Sequence, residues 1–130
     1  MVAQEDDFGC GVACVANLLN ISYQQALELF ANPENAGSKG FWCKDIVAAL
    51  QKAGINTDHR YIKPKTGIQI YQTRTIVFVA RGKKYPAGHY LLRIENGWID
   101  PWINFPLISR IAGIRKRLPG KPIYAVFPVQ

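Results

Sequence analysis

A chain of 130 residues suits one domain with a hydrophobic core of its own, so residues 1–130 are read as a single unit. With 48% hydrophobic and 19% charged residues, the composition excludes a disordered protein, and no apolar run reaches the ~18 residues of a membrane-spanning helix. Sixteen Lys and Arg against nine Asp and Glu give a net charge of +7, which permits an anionic partner without demanding one.

The opening MVAQEDDFGC lacks the basic start and apolar middle of a secretory signal. The chain therefore reads as a cytoplasmic protein, or as a module delivered from a larger secreted one. Gly9-Cys10-Gly11 leads into a nearly all-apolar stretch, Val12 to Leu19, which predicts a helix in the middle of the core with its stop at Asn20. Ser22 to Phe30 predicts a second helix, because Ser22 and Gln25 have capping-box spacing and Asn32-Pro33 ends the run. Residues 33–40 have loop composition. A third helix is expected from about Phe41 to Ala53, with Cys43, Ile46, Val47 and Leu50 on one stripe and Gly54 just past its end.

Beyond Gly54 the pattern turns to strands. Thr75 to Ala80 is a β-branched and aromatic run, His89 to Ile94 a second, and Trp98 to Asp100 a third. Glu95-Asn96-Gly97 between the last two is a tight-turn signature. Ile123 to Val129 closes the sheet, and Pro106 to Leu118 predicts a short helix with Leu107, Ile111, Ile114 and Leu118 on one face. Helices first and antiparallel strands second is an α+β order.

Cys10 carries the chemistry in this reading. A helix N-terminus bears a partial positive charge that favours a thiolate, and the flanking glycines leave room for a substrate backbone. Of the two histidines, His59 lies in a polar stretch and reads as a surface residue. His89 begins an apolar strand directly after Pro86-Ala87-Gly88, a position that suits a general base. The turn at 95–97 folds Asp100 back towards His89, where a carboxylate would fix the imidazole tautomer. Gln4, six residues before Cys10, could pair its amide with the Cys10 backbone N–H as an oxyanion donor.

These residues resemble a known family. Gln4, Cys10-Gly11 with Cys14 one turn on, Gly88-His89-Tyr90 and Ile99-Asp100-Pro101 are similar to the motifs of the bacteriocin-processing leader peptidases. Those are papain-like bacterial cysteine peptidases that cleave after a double glycine and are often fused to ABC exporters. Here the form would be stand-alone, without a transporter. The resemblance implies a papain-like fold, with the nucleophile on the central helix packed on a C-terminal antiparallel sheet. It also implies Gln4 as oxyanion donor, Cys10 as nucleophile, His89 as base and Asp100 as orienter. No cofactor and no metal are expected.

Other readings remain beside this one. A toxin or effector module could use the same thiol chemistry for proteolysis, deamidation or acyl transfer, and a cognate immunity or inhibitor protein would then be its partner. A non-catalytic binding domain of the same fold is a third. A zinc site built from Cys10, Cys14, Cys43 and a histidine lacks the usual paired short spacings. Cys14 and Cys43 read as core, as do Trp42, Trp98 and Trp102. Arg110, Arg115, Lys116, Arg117 and Lys121 read as a solvated helix face, which speaks against nucleic acid as the partner. A peptide or protein substrate is the expectation.

Overall fold

A computed structural model of the protein describes residues 1–63 and 69–129. Three helices precede a sheet of six strands: α1 (Cys10–Leu19), α2 (Tyr23–Leu27), a 3-10 turn (Pro33–Gly37) and α3 (Cys43–Lys52), then β1 (Thr57–Tyr61), β2 (Ile76–Val79), β3 (His89–Ile94), β4 (Gly97–Asp100), β5 (Gly113–Arg115) and β6 (Pro122–Pro128). The sheet order is β1-β6-β2-β3-β4-β5, and every pairing is antiparallel. The expected α+β architecture is the one observed.

Local chemistry sets the helix ends. Asn20 takes the left-handed conformation that stops α1, at φ 61°. Ser22 accepts from the Gln25 backbone N–H while the Gln25 side chain accepts from the Ser22 N–H, closing the capping box of α2. Gly54 adopts φ +85° just after α3. Because Val12 to Ala16 are apolar on every side, α1 has no face for water. It sits at the centre of a core shared with Ile46 and Leu50 of α3 and with Ile76, Tyr90, Leu92, Ile99 and Val126 of the sheet. The opposite sheet face carries Val77, Val79, Leu91, Trp98 and Ala125.

The hairpin that positions the site forms as expected. Asn96 turns at φ 67°, and Leu92 faces Ile99. Continued along the same register, Asp100 falls opposite Leu91, two residues from His89 and on the same side of the sheet. Gly88, just before β3, has φ +79°, and a Cβ there would lie 2.2 Å from the Phe78 ring. Only glycine can deliver His89 to the strand start along this path.

One expectation is corrected. Residues 106–118 do not form a helix; they run through turns into the edge strand β5, which pairs with β4 from Trp98↔Arg115 to Asp100↔Gly113. The supposed apolar face does not form as one surface: Leu107, Ile111 and Ile114 are exposed, while Leu118 packs separately against the cluster of Val77, Val79, Leu91, Trp98 and Ala125. Ile108, Ile111 and Ile114 are β-branched, and Gly113 would weaken a helix at its middle. Residues 57–61, which carry no apolar alternation, form β1 all the same, because their backbone pairs along β6 from Thr57↔Pro128 to Tyr61↔Tyr124. Among the described residues no helix is long and apolar enough to cross a membrane.

Candidate active site

Cys10, the first residue of α1, is half-buried and packs against the core. The glycines beside it serve packing. A Cβ on Gly9 would lie 2.0 Å from the Tyr23 hydroxyl oxygen, which itself donates to Asp6 at 2.7 Å. A Cβ on Gly11 would press on Ile46 at 3.2 Å and Tyr90 at 3.4 Å. Close seating of α1 on α2, α3 and β3 therefore requires both, and it holds the Cys10 sulfur in place.

His89 stands between Cys10 and Asp100. Its Nε2 lies 2.7 Å from Asp100 Oδ1, and both side chains are buried. That leaves Nδ1 on the side of Cys10, which is close enough to act on the ring. Burial alone would push the imidazole pKa down. The Asp100 hydrogen bond, followed by the Cys10 thiol, outweighs burial and raises the pKa to about 9. The shift favours the imidazolium over the neutral ring.

Asp100 is fully buried and accepts from four donors. Oδ1 takes His89 and the Trp102 backbone N–H at 2.9 Å, while Oδ2 takes the Tyr85 hydroxyl at 2.7 Å and Arg115 Nε at 2.6 Å. Burial acts to raise its pKa, but His89, Arg115 and Tyr85 together hold it well below the ordinary carboxylate range. Tyr85 also stacks flat on the imidazole, with ring centroids 3.7 Å apart and planes 5° apart. The ring covers one face of His89 while its hydroxyl fixes the carboxylate that orients it. Arg115, expected on a solvated face, instead reaches the buried carboxylate. Sequence offers only a weak signal for Tyr85, a buried-type aromatic in a charged segment, and none for Arg115.

Gln4 is buried, and its backbone N–H donates to the Pro101 carbonyl at 3.1 Å, directly beside Asp100. Its side-chain amide donates to the carbonyls of Asp6 at 2.9 Å and Asp7 at 3.2 Å, while Oε1 is buried without a partner. Arg110 fastens this segment down. It pairs with Asp7, donates to the Glu5 carbonyl at 3.1 Å and lies over the Trp102 ring. Gln4, Cys10 and His89 line one cleft of 940 Å³, whose walls include Phe41, Trp42 and Tyr124. Trp42 is 72% exposed there, against the expectation of a core role, whereas Trp98 and Trp102 are buried as expected.

Cys14 and Cys43 are buried in the core, and burial pushes both thiols up. Cys43 contacts the Tyr90 hydroxyl, which donates to the Phe41 carbonyl. Among the described residues no three His, Cys, Asp or Glu side chains converge as metal ligands.

The depressed Asp100 pKa makes a stability prediction. A carboxylate held below its unfolded value contributes stability above about pH 4, and that contribution is lost as pH falls through the folded value. Arg115→Met removes a charged hydrogen bond worth about 1.5–3 kcal/mol and lets the folded pKa rise. Acid unfolding of the variant, followed by circular dichroism, is expected at a higher pH than in the wild type. An unchanged acid midpoint would mean that Arg115 does not hold the carboxylate.

No protein-family model and no curated protein matches the chain. Solved structures do. The peptidase domain of ComA from Streptococcus, a bi-functional ABC transporter involved in a quorum-sensing pathway, is 24% identical, with a TM-score of 0.59 over 98% of this chain and 95% of that one. The peptidase domain of Streptococcus mutans ComA is 22% identical, with a TM-score of 0.50 over 100% and 98%. The likeness runs through nearly the whole of both chains, and the fold of this protein is that of the ComA peptidase domains.

Proposed function

We propose that the protein is a cysteine peptidase that cleaves an amide bond in a peptide or protein, with Cys10, His89 and Asp100 as its triad. The observation that carries this reading is the buried imidazole bonded to the Asp100 carboxylate at 2.7 Å, with Cys10 close enough to act on it, at the wall of an open cleft. The fold shared with the ComA peptidase domains supports it.

In the reactive form the Cys10 thiolate attacks the carbonyl carbon, and negative charge moves to the carbonyl oxygen. The Cys10 backbone N–H, at the free N-terminal end of α1, and a Gln4 amide hydrogen stabilise that oxyanion. Gln4 gives up one of its bonds to the Asp6 or Asp7 carbonyl to do so. The imidazolium passes its Nδ1 proton to the leaving amine, the C–N bond breaks, and an acyl-enzyme remains. Water then attacks, giving its proton back to His89, and the acid product leaves. Asp100 keeps Nε2–H pointed at itself throughout and stays ionised. A leader peptide ending in a double glycine is the substrate that the motif resemblance favours.

Iodoacetamide at neutral pH tests the nucleophile. Cys10 is expected to be alkylated well before Cys14 and Cys43, and His89→Ala is expected to slow Cys10 labelling at least tenfold without exposing the other two thiols. Equal labelling of the three cysteines, or labelling of Cys10 indifferent to His89, would contradict the triad.

Gln4 is tested separately. Gln4→Ala is expected to lower turnover of any peptide the wild type cleaves by about 10²–10³-fold. Alkylation of Cys10, which develops no oxyanion, is expected to continue. Undiminished turnover would remove Gln4 from the mechanism.

A further inference from the structure

The walls of the catalytic cleft are apolar, but their charges are one-sided. Phe41, Phe78, Tyr90 and Tyr124 supply an aromatic surface, and Phe78 stands across the sheet from both Tyr90 and Tyr124. Lys39, Lys44 and Arg81 line the same cleft. All three are exposed, and among the described residues none of them forms an ion pair. Asp7 is the one carboxylate among the described lining residues, and Arg110 already pairs with it. The excess of positive charge within the cleft is therefore three, and it is not offset by the surroundings in a chain of net charge +7.

We propose that this cleft selects acidic peptides, those carrying Asp or Glu in the segment that lies along the cleft near the point of attack. The inference rests on the peptidase reading for its occupant but draws its chemistry from the unpaired cations. The aromatic walls bind apolar side chains regardless of charge. A carboxylate that comes to Lys39, Lys44 or Arg81 gains an ion pair that no resident acid supplies, and a lysine in its place meets repulsion. Walls of low dielectric concentrate the field of these groups into the cleft. Lys39 and Lys44 lie on either side of Phe41 and the exposed Trp42, so an acidic residue beside an apolar one satisfies both features at once. Each exposed ion pair is worth about a two- to fivefold gain in affinity.

Binding to the full chain carrying Cys10→Ala tests the selection without turnover. The probes are fluorescent pools of randomised octapeptides that differ only in two fixed positions, Glu, Gln or Lys, read by anisotropy. At low salt the Glu pool is expected to bind about tenfold more tightly than the Lys pool, with Gln between. Added salt is expected to close the gap. Adding Lys39→Gln, Lys44→Gln and Arg81→Gln together is expected to erase the Glu-over-Gln difference while the circular dichroism spectrum is kept. Equal binding of Glu and Lys pools at low salt would overturn the proposal. So would tighter binding of a single-stranded oligonucleotide than of the Glu pool. The wild-type protein is then incubated with the same pools. Cleavage that favours Glu supports both readings, whereas a Glu preference in binding with no cleavage of any pool overturns the peptidase reading and leaves the charge selection standing.

Discussion

The Asp100 carboxylate is sealed from water and stays ionised because four donors converge on its two oxygens. An unpartnered carboxylate at that depth would take up a proton. The donors come from four places: Tyr85 in the loop before β3, His89 at the start of β3, the Trp102 backbone after β4, and Arg115 on β5. One charge therefore ties together three strands and a loop. It also accounts for β5. An edge strand of three residues, half-exposed and poor in apolar contacts, is held at its far end by an ion pair into the interior. The Tyr85 hydroxyl lies between Asp100 Oδ2 and the Trp102 carbonyl at 2.8 Å, so its single proton serves one of them at a time, while Arg115 Nη2 donates to it at 3.4 Å.

The charges of the site alternate. In the proposed mechanism the attacking Cys10 would be negative, His89 positive, Asp100 negative and Arg115 positive, and the sum is zero. This arrangement lets an imidazolium persist where burial alone would strip its proton. It also gives the site a pH window. His89, with its folded pKa raised to about 9, contributes stability in full below the unfolded histidine range near 6.5 and loses it as pH rises through about 9. Asp100 contributes above the unfolded carboxylate range and loses its share as pH falls. Both contributions are present together between about pH 4 and 6.5, and they decline outside opposite ends of that interval.

Features governed by local chemistry were legible in the sequence. The apolar run after Cys10 could only be a central helix, Ser22 and Gln25 announced their own capping box, and Glu95-Asn96-Gly97 placed the hairpin that returns Asp100 to His89. Features governed by distant backbone or by one long-range charge were not. Thr57 to Tyr61 shows no strand pattern because it is a polar edge whose only strong tie is the β6 backbone. Leu107, Ile111, Ile114 and Leu118 fall at helical spacing by coincidence, since the first three stay exposed and only Leu118 packs on the sheet. Arg115 looked like one more surface cation because its partner is fifteen residues away, on the neighbouring strand. Gly9 and Gly11 were legible as small by need, but the neighbours that require it, Tyr23, Ile46 and Tyr90, are brought in by the fold. Trp42 looked like core from its type alone, and only the cleft explains why a tryptophan stands exposed.

The central claim is that His89 is held as a cation between Cys10 and Asp100, and the ring nitrogens report it directly. In a two-bond ¹H–¹⁵N spectrum of the histidine-labelled protein, with His59 removed as His59→Gln, both nitrogens of His89 are expected to remain protonated until the pH approaches about 9. In Asp100→Asn the transition is expected to move down, and in Cys10→Ala to move down as well, because each removes a group that raises the pKa. A wild-type His89 that titrates near 6.5, or one whose titration is the same with and without Cys10, would contradict the account.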